Sequence, residues 1–184
     1  MEIQKAKSET KVRKGKQSRA QGNAFEARVR DDLEEKGFIC DKWSNNVEFE
    51  KNEATHNPEL SKSKGIVRKE FDGGKWIKKM TYGKLVKAKP KYLFINGGMR
   101  MVGNNSGFPD FIIFKPGEVG PIVGVESKMT GELDRAEKEK CLWLLNQGIF
   151  SKILIAKKLK IKNRVSIEYS DFKEKYWRFL NEKN

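Results

Sequence analysis

Two short apolar runs constrain this chain more than any other feature: Phe111-Ile112-Ile113-Phe114 and Ile122-Val123-Gly124-Val125. Both are rich in β-branched and aromatic residues, the composition of buried strands. Each carries charge at one end. Pro109-Asp110 enters the first, and Glu126-Ser127-Lys128 leaves the second. Side chains alternate along a strand, so Glu126 and Lys128 share a face and Ser127 takes the other.

Two carboxylates and one ammonium at the ends of adjacent strands supply the parts for metal-dependent phosphodiester hydrolysis. Hard carboxylate oxygens suit Mg²⁺ or Mn²⁺. Such an ion polarises a phosphoryl oxygen and lowers the pKa of a bound water. A lysine beside it offsets developing phosphorane charge or orients the nucleophile. Taken singly, Pro-Asp reads as a turn and Glu-x-Lys as an exposed strand end. It is their pairing in a basic chain that points to function.

These residues resemble the PD-(D/E)xK, or restriction-endonuclease-like, nuclease superfamily. Upstream, Gly22-Asn23-Ala24-Phe25-Glu26 opens an expected helix that ends at Gly37-Phe38. This stretch is similar to the first helix of archaeal Holliday junction resolvases, whose glutamate joins the metal site; the matching residue is Glu26. Downstream, Gly131-Glu132-Leu133-Asp134-Arg135-Ala136-Glu137 precedes a second helix. That run looks like the VRR-NUC branch, with Glu137 where the family has glutamine and Asp134 where it has serine. Asp134 and Glu137 read equally well as a capping box.

The resemblance implies an α/β fold, a mixed central sheet flanked by helices in the order α-β-(insert)-β-β-α-β-β-α. It implies an Mg²⁺- or Mn²⁺-dependent DNA endonuclease acting on branched or otherwise structured DNA. Asp110 and Glu126 would bind the metal, the Ser127 backbone would add a ligand, and Glu26 would reach the ion through water. Lys128 would position or help activate the attacking water, with Glu137 as a possible accessory. Paired incision of a four-way junction would favour a symmetric homodimer. The alternatives are a nucleic-acid-binding protein with a vestigial site and an RNA-directed nuclease.

The distribution of charge supports a polyanionic partner. The net charge is +14. Residues 1–19 hold seven Lys/Arg against two acids, and residues 60–91 hold eleven against two. These two segments account for the whole excess. Concentrated charge of this kind is an electrostatic footprint for nucleic acid. The expected contacts are Lys14, Lys16 and Arg19 in the first segment. In the second they are Arg68, Lys69, Lys75, Trp76, Lys78, Lys79 and Lys84, with the ring of Trp76 available for base stacking.

The remainder bounds the chain. Its 184 residues suit one domain, expected over 21–184 behind a basic flexible arm at 1–20. A basic insertion is expected at about 60–96, with a hairpin at Asp72-Gly73-Gly74. A loop is expected over Lys51–Lys64. No apolar run approaches membrane-span length, and no apolar h-region opens the chain. Two cysteines, Cys40 and Cys141, are too few for a disulfide framework. Together these lead us to expect a cytoplasmic protein. The single His56 leaves no room for a His-rich zinc site.

Overall fold

The structure, a computed structural model, describes residues 2–49, 65–72, 74–89, 91–95, 98–103, 107–117, 120–162, 164–176 and 178–179. The expected loop at 51–64 lies outside them. In chain order the elements are α1 (Glu2–Glu35), β1 (Ile39–Lys42), β2 (Asn45–Phe49), β3 (Ile66–Asp72), β4 (Lys75–Thr81) and β5 (Gly83–Lys87). They continue with β6 (Lys91–Ile95), β7 (Gly98–Gly103), β8 (Phe111–Phe114), β9 (Val123–Lys128), α2 (Arg135–Asn146), β10 (Lys152–Ile161), β11 (Arg164–Asp171) and α3 (Phe172–Lys175).

Five strands form the central sheet in the order β1-β8-β9-β10-β11. The β9–β10 pair is parallel, joined through α2, and the other pairs are antiparallel. This is the mixed α/β sheet that the sequence leads one to expect.

Each face of the sheet buries a separate core. On one side Phe25, Val29 and Leu33 of α1 pack with Cys40, Phe111, Ile113, Val125 and Ala156. Their spacing of four keeps one stripe toward the sheet, and burying each side chain contributes about 2 kcal/mol. On the other side Cys141, Leu142, Trp143 and Leu144 of α2 pack with Phe108, Phe150, Ile153, Ile155 and Phe172.

Both long helices end in the same way. Phe38 N–H donates to Leu33 O at 3.1 Å and Gly37 N–H to Glu34 O at 2.9 Å, with Gly37 at φ 82°. Ile149 and Gly148 repeat the pattern on Leu144 and Leu145, with Gly148 at φ 69°. This is the Schellman arrangement, and its left-handed residue favours glycine.

Several expectations need correcting. The first helix does not begin at 22. It extends back to Glu2, so the segment expected as a flexible arm continues α1. Lys, Arg, Glu, Gln and Ala are good helix formers, and that segment lacks only an apolar stripe. Between Phe38 and Phe49 the one strand of the expected order becomes two, because the chain leaves the central sheet after Lys42 and β2 pairs with β5. β6 and β7 pair antiparallel, with Ile95 opposite Gly98. Near the end of the described chain Phe172–Lys175 forms a helical turn capped by Asp171, and residues 178–179 are again helical. β3 and β4 pair antiparallel, with Asp72 opposite Lys75.

Candidate active site

The antiparallel register of β8 on β9 creates the site. Phe111 lies opposite Val125, so Asp110 and Glu126 meet just beyond the last pair. Asp110 N–H donates to Glu126 Oε2 at 3.2 Å. Ser127 N–H donates to Asp110 Oδ2 at 2.9 Å. Both carboxylate residues are buried, at 6% and 4% exposure. Local packing leaves little freedom here. A Cβ on Gly107 would lie 1.7 Å from Trp43 O, and Phe108 N–H donates to Asn45 O at 2.8 Å. Close backbone packing therefore explains the glycine at 107.

Four elements and the segment entering β8 supply the walls of one polar cleft of about 310 Å³. Glu26 comes from α1, Asn46 from β2, Asp110 and Phe108 from the segment entering β8, and Glu126, Ser127 and Lys128 from β9. Glu137 and Lys140 come from α2. The structure thus gathers Glu26, Asp110, Glu126, Ser127, Lys128 and Glu137, which lie far apart in sequence. Asn46 and Lys140 were not anticipated. The spacing of Lys140 three residues after Glu137 places it on the same helix face, a signal readable in advance. Asn46 offered none, since its place depends on a long-range strand pairing.

The charges in the cleft are strongly coupled. Lys128 Nζ contacts Glu126 Oε1 at 3.1 Å and also donates to Glu137 Oε1. Glu137 serves two purposes, because its Oε2 accepts from Asp134 N–H at 2.9 Å in a complete capping box. Glu137 thus caps α2 and touches the cleft lysine. Glu26 Oε2 accepts from Lys42 Nζ at 2.5 Å.

Burial raises the pKa of Glu126 to about 8, and the nearby Asp110 carboxylate adds to the shift against the lowering effect of Lys128. Burial also raises Asp110, reinforced by Glu26 and opposed by the Ser127 N–H, Lys42 and Lys128. For Lys128, burial alone would lower the pKa. The Glu126 and Glu137 carboxylates outweigh it and hold the ammonium above its usual range.

Two buried carboxylates that repel one another form a donor set that a hard divalent cation would relieve. In that respect the residues fit Mg²⁺ or Mn²⁺. Among the described residues, however, no three His, Cys, Asp or Glu side chains stand together as a ready ion site. The third expected ligand, Glu26, is engaged by Lys42.

No protein-family model matches the chain, and neither does a curated protein or a solved structure.

Of the expected nucleic-acid contacts, Arg19, Lys75 and Lys84 are exposed. The side chains of Lys14, Lys16, Arg68, Lys69, Trp76, Lys78 and Lys79 lie outside those described. No helix among the described residues is long and apolar enough to cross a membrane.

Proposed function

We propose that this chain is a divalent-metal-dependent nuclease of the PD-(D/E)xK kind that hydrolyses phosphodiester bonds in branched or otherwise structured DNA. One observation carries the reading: Glu26, Asp110, Glu126 and Lys128 converge on a single polar cleft. The central sheet with α1 and α2 is then the nuclease core, and the lysine-rich strands between β2 and β8 are its insertion. The protein acts in the cytoplasm as a homodimer, each copy making one incision.

Asp110 and Glu126 would hold the ion, the Ser127 backbone carbonyl would add a ligand, and Glu26 would reach it through water after releasing Lys42. A bound Mg²⁺ or Mn²⁺ supplies phosphoryl polarisation and a more acidic water. Lys128 stays charged between two carboxylates, so it orients the nucleophile and offsets phosphorane charge rather than accepting a proton. Glu137 positions Lys128 from the first turn of α2.

A second reading, a nucleic-acid-binding protein that does not cut, is favoured by the lack of three clustered acids among the described residues. One experiment separates the two. Labelled four-way junction, flap, single strand and plain duplex are incubated with the protein, with and without Mg²⁺ or Mn²⁺. Metal-dependent cleavage, strongest on branched DNA, is expected. Binding without cleavage under every condition would leave the second reading standing.

A further inference from the structure

The acidic residues of the cleft are accounted for above, but Asn46 and Lys140 are not. Both line the cleft on the side of Phe108. Phe108 N–H donates to the carbonyl of Asn45, the neighbour of Asn46, at 2.8 Å. Lys140 Nζ stands 5.3 Å from the centre of the Phe108 ring. Asn46, Phe108 and Lys140 all line the cleft, so the Phe108 ring and backbone tie the two polar residues to one wall.

Both residues present donors. Asn46 Oδ1 accepts from Val47 N–H at 2.8 Å, which leaves the Nδ2 amide as the free end of that side chain. The other cations of the region are taken: Lys128 by Glu126 and Glu137, and Lys42 by Glu26. Among the described residues Lys140 has no carboxylate partner. A cleft with four carboxylates around the chemistry needs a separate place that attracts the anionic backbone of its substrate. Here that place has one ammonium and one amide donor.

We propose that Asn46 and Lys140 form a phosphate-binding subsite that grips a nucleic-acid backbone phosphate next to the one being cut. The proposal rests on the nuclease reading for the identity of the ligand. Phe108 holds the ammonium in place through its ring face, and the Val47 bond holds the amide. The two donors then meet the phosphate already oriented, which lowers the entropic cost of binding.

The test uses Lys140→Met, Lys140→Arg and Asn46→Asp. The last keeps the acceptor for Val47 N–H and replaces the outward donor with an anion. Dissociation constants for a labelled four-way junction are measured in EDTA across a KCl series, and cleavage kinetics are measured with Mg²⁺. Lys140→Met and Asn46→Asp are each expected to weaken binding about tenfold and to flatten the log–log salt slope by about one. In cleavage the loss should fall on KM more than on kcat. Lys140→Arg keeps the charge and should bind as wild type.

If the wild type binds and never cuts while the slopes still fall, the subsite stands and the nuclease reading fails. Slopes and KM equal to wild type for both Lys140→Met and Asn46→Asp would overturn the subsite. So would a wild type that binds no nucleic acid, or a Lys140→Arg protein as impaired as Lys140→Met.

Discussion

The central sheet and the strands from β2 to β7 carry their charge in opposite ways. Residues 105–158, which carry most of the cleft, hold eight bases against seven acids. Residues 60–91 hold eleven against two. The first region buries its two central carboxylates: Asp110 and Glu126 stand at the end of a sheet packed on both faces. The second is built of two-stranded sheets, β2–β5, β3–β4 and β6–β7. It leaves large apolar side chains outside, with Phe94 at 71% exposure opposite Met99 at 67%. Buried ionised groups demand a rigid scaffold, because each must be desolvated and then compensated by a fixed partner. Attraction of a polyanion needs only charge at a suitable distance, and thin sheets suffice for that. On the proposed reading the difference is a division of labour: the sheet end would set the chemistry, and the basic strands would set affinity.

The sharpest way to break that division is at the sheet end. Asp110→Ala or Glu126→Ala should lower metal-dependent cleavage about 10³-fold or more. DNA affinity should change little, because phosphate contacts elsewhere dominate it. Single-turnover cleavage beside equilibrium binding checks this; cleavage at wild-type rate by purified Asp110→Ala would refute the assignment.

The two regions join where Gly107 passes Trp43, and that seam is the next place to press. A Cβ at 107 would overlap Trp43 O. Gly107→Ala should therefore destabilise the fold by about 3 kcal/mol. Chemical denaturation measures the loss, and a midpoint equal to wild type would show that the seam is loose.

Reversing Lys75, Lys78 and Lys79 to Glu addresses the other half of the comparison. Binding to every DNA tested should weaken about tenfold and the salt slope should flatten. The bond cut should not change. A shift in cleavage position on the same labelled substrate would show that the basic strands also set chemistry.

The smallest effect expected is on pH dependence. Glu126 has its folded pKa raised from 4.5 to about 8. Between these values the folded protein holds a proton that the unfolded chain has released. Raising the pH through this window therefore favours unfolding, and the stability present at lower pH is lost. Melting temperatures of metal-free protein should fall across the window, and Glu126→Gln should flatten the fall. A parallel decline in both proteins would place the titrating group elsewhere.

Much of the sheet end was legible in the sequence. Apolar runs marked β8, β9 and β10, the spacing of Phe25, Val29 and Leu33 marked the buried face of α1, and Asp134 with Glu137 marked the start of α2. These signals are local, each set by alternation, helical periodicity or a cap. The position of Glu26 beside that stripe was also readable, and the fold carries it to the cleft. What escaped was non-local. The pairing of β2 with β5 leaves no trace in either segment, and with it went the place of Asn46. The antiparallel pairing of β6 with β7 left no clear signal either. The N-terminal half of α1 lacks an apolar stripe, so periodicity had nothing to report.

The most direct test of the central claim is Mn²⁺ uptake at alkaline pH, where Glu126 is ionised. Loss of the free-ion signal in electron paramagnetic resonance reports binding. The wild type should take up Mn²⁺, and both Asp110→Ala and Glu126→Gln should lose that uptake. Equal uptake by Asp110→Ala, or none by the wild type even with DNA present, would contradict the metal site on which the proposed nuclease depends.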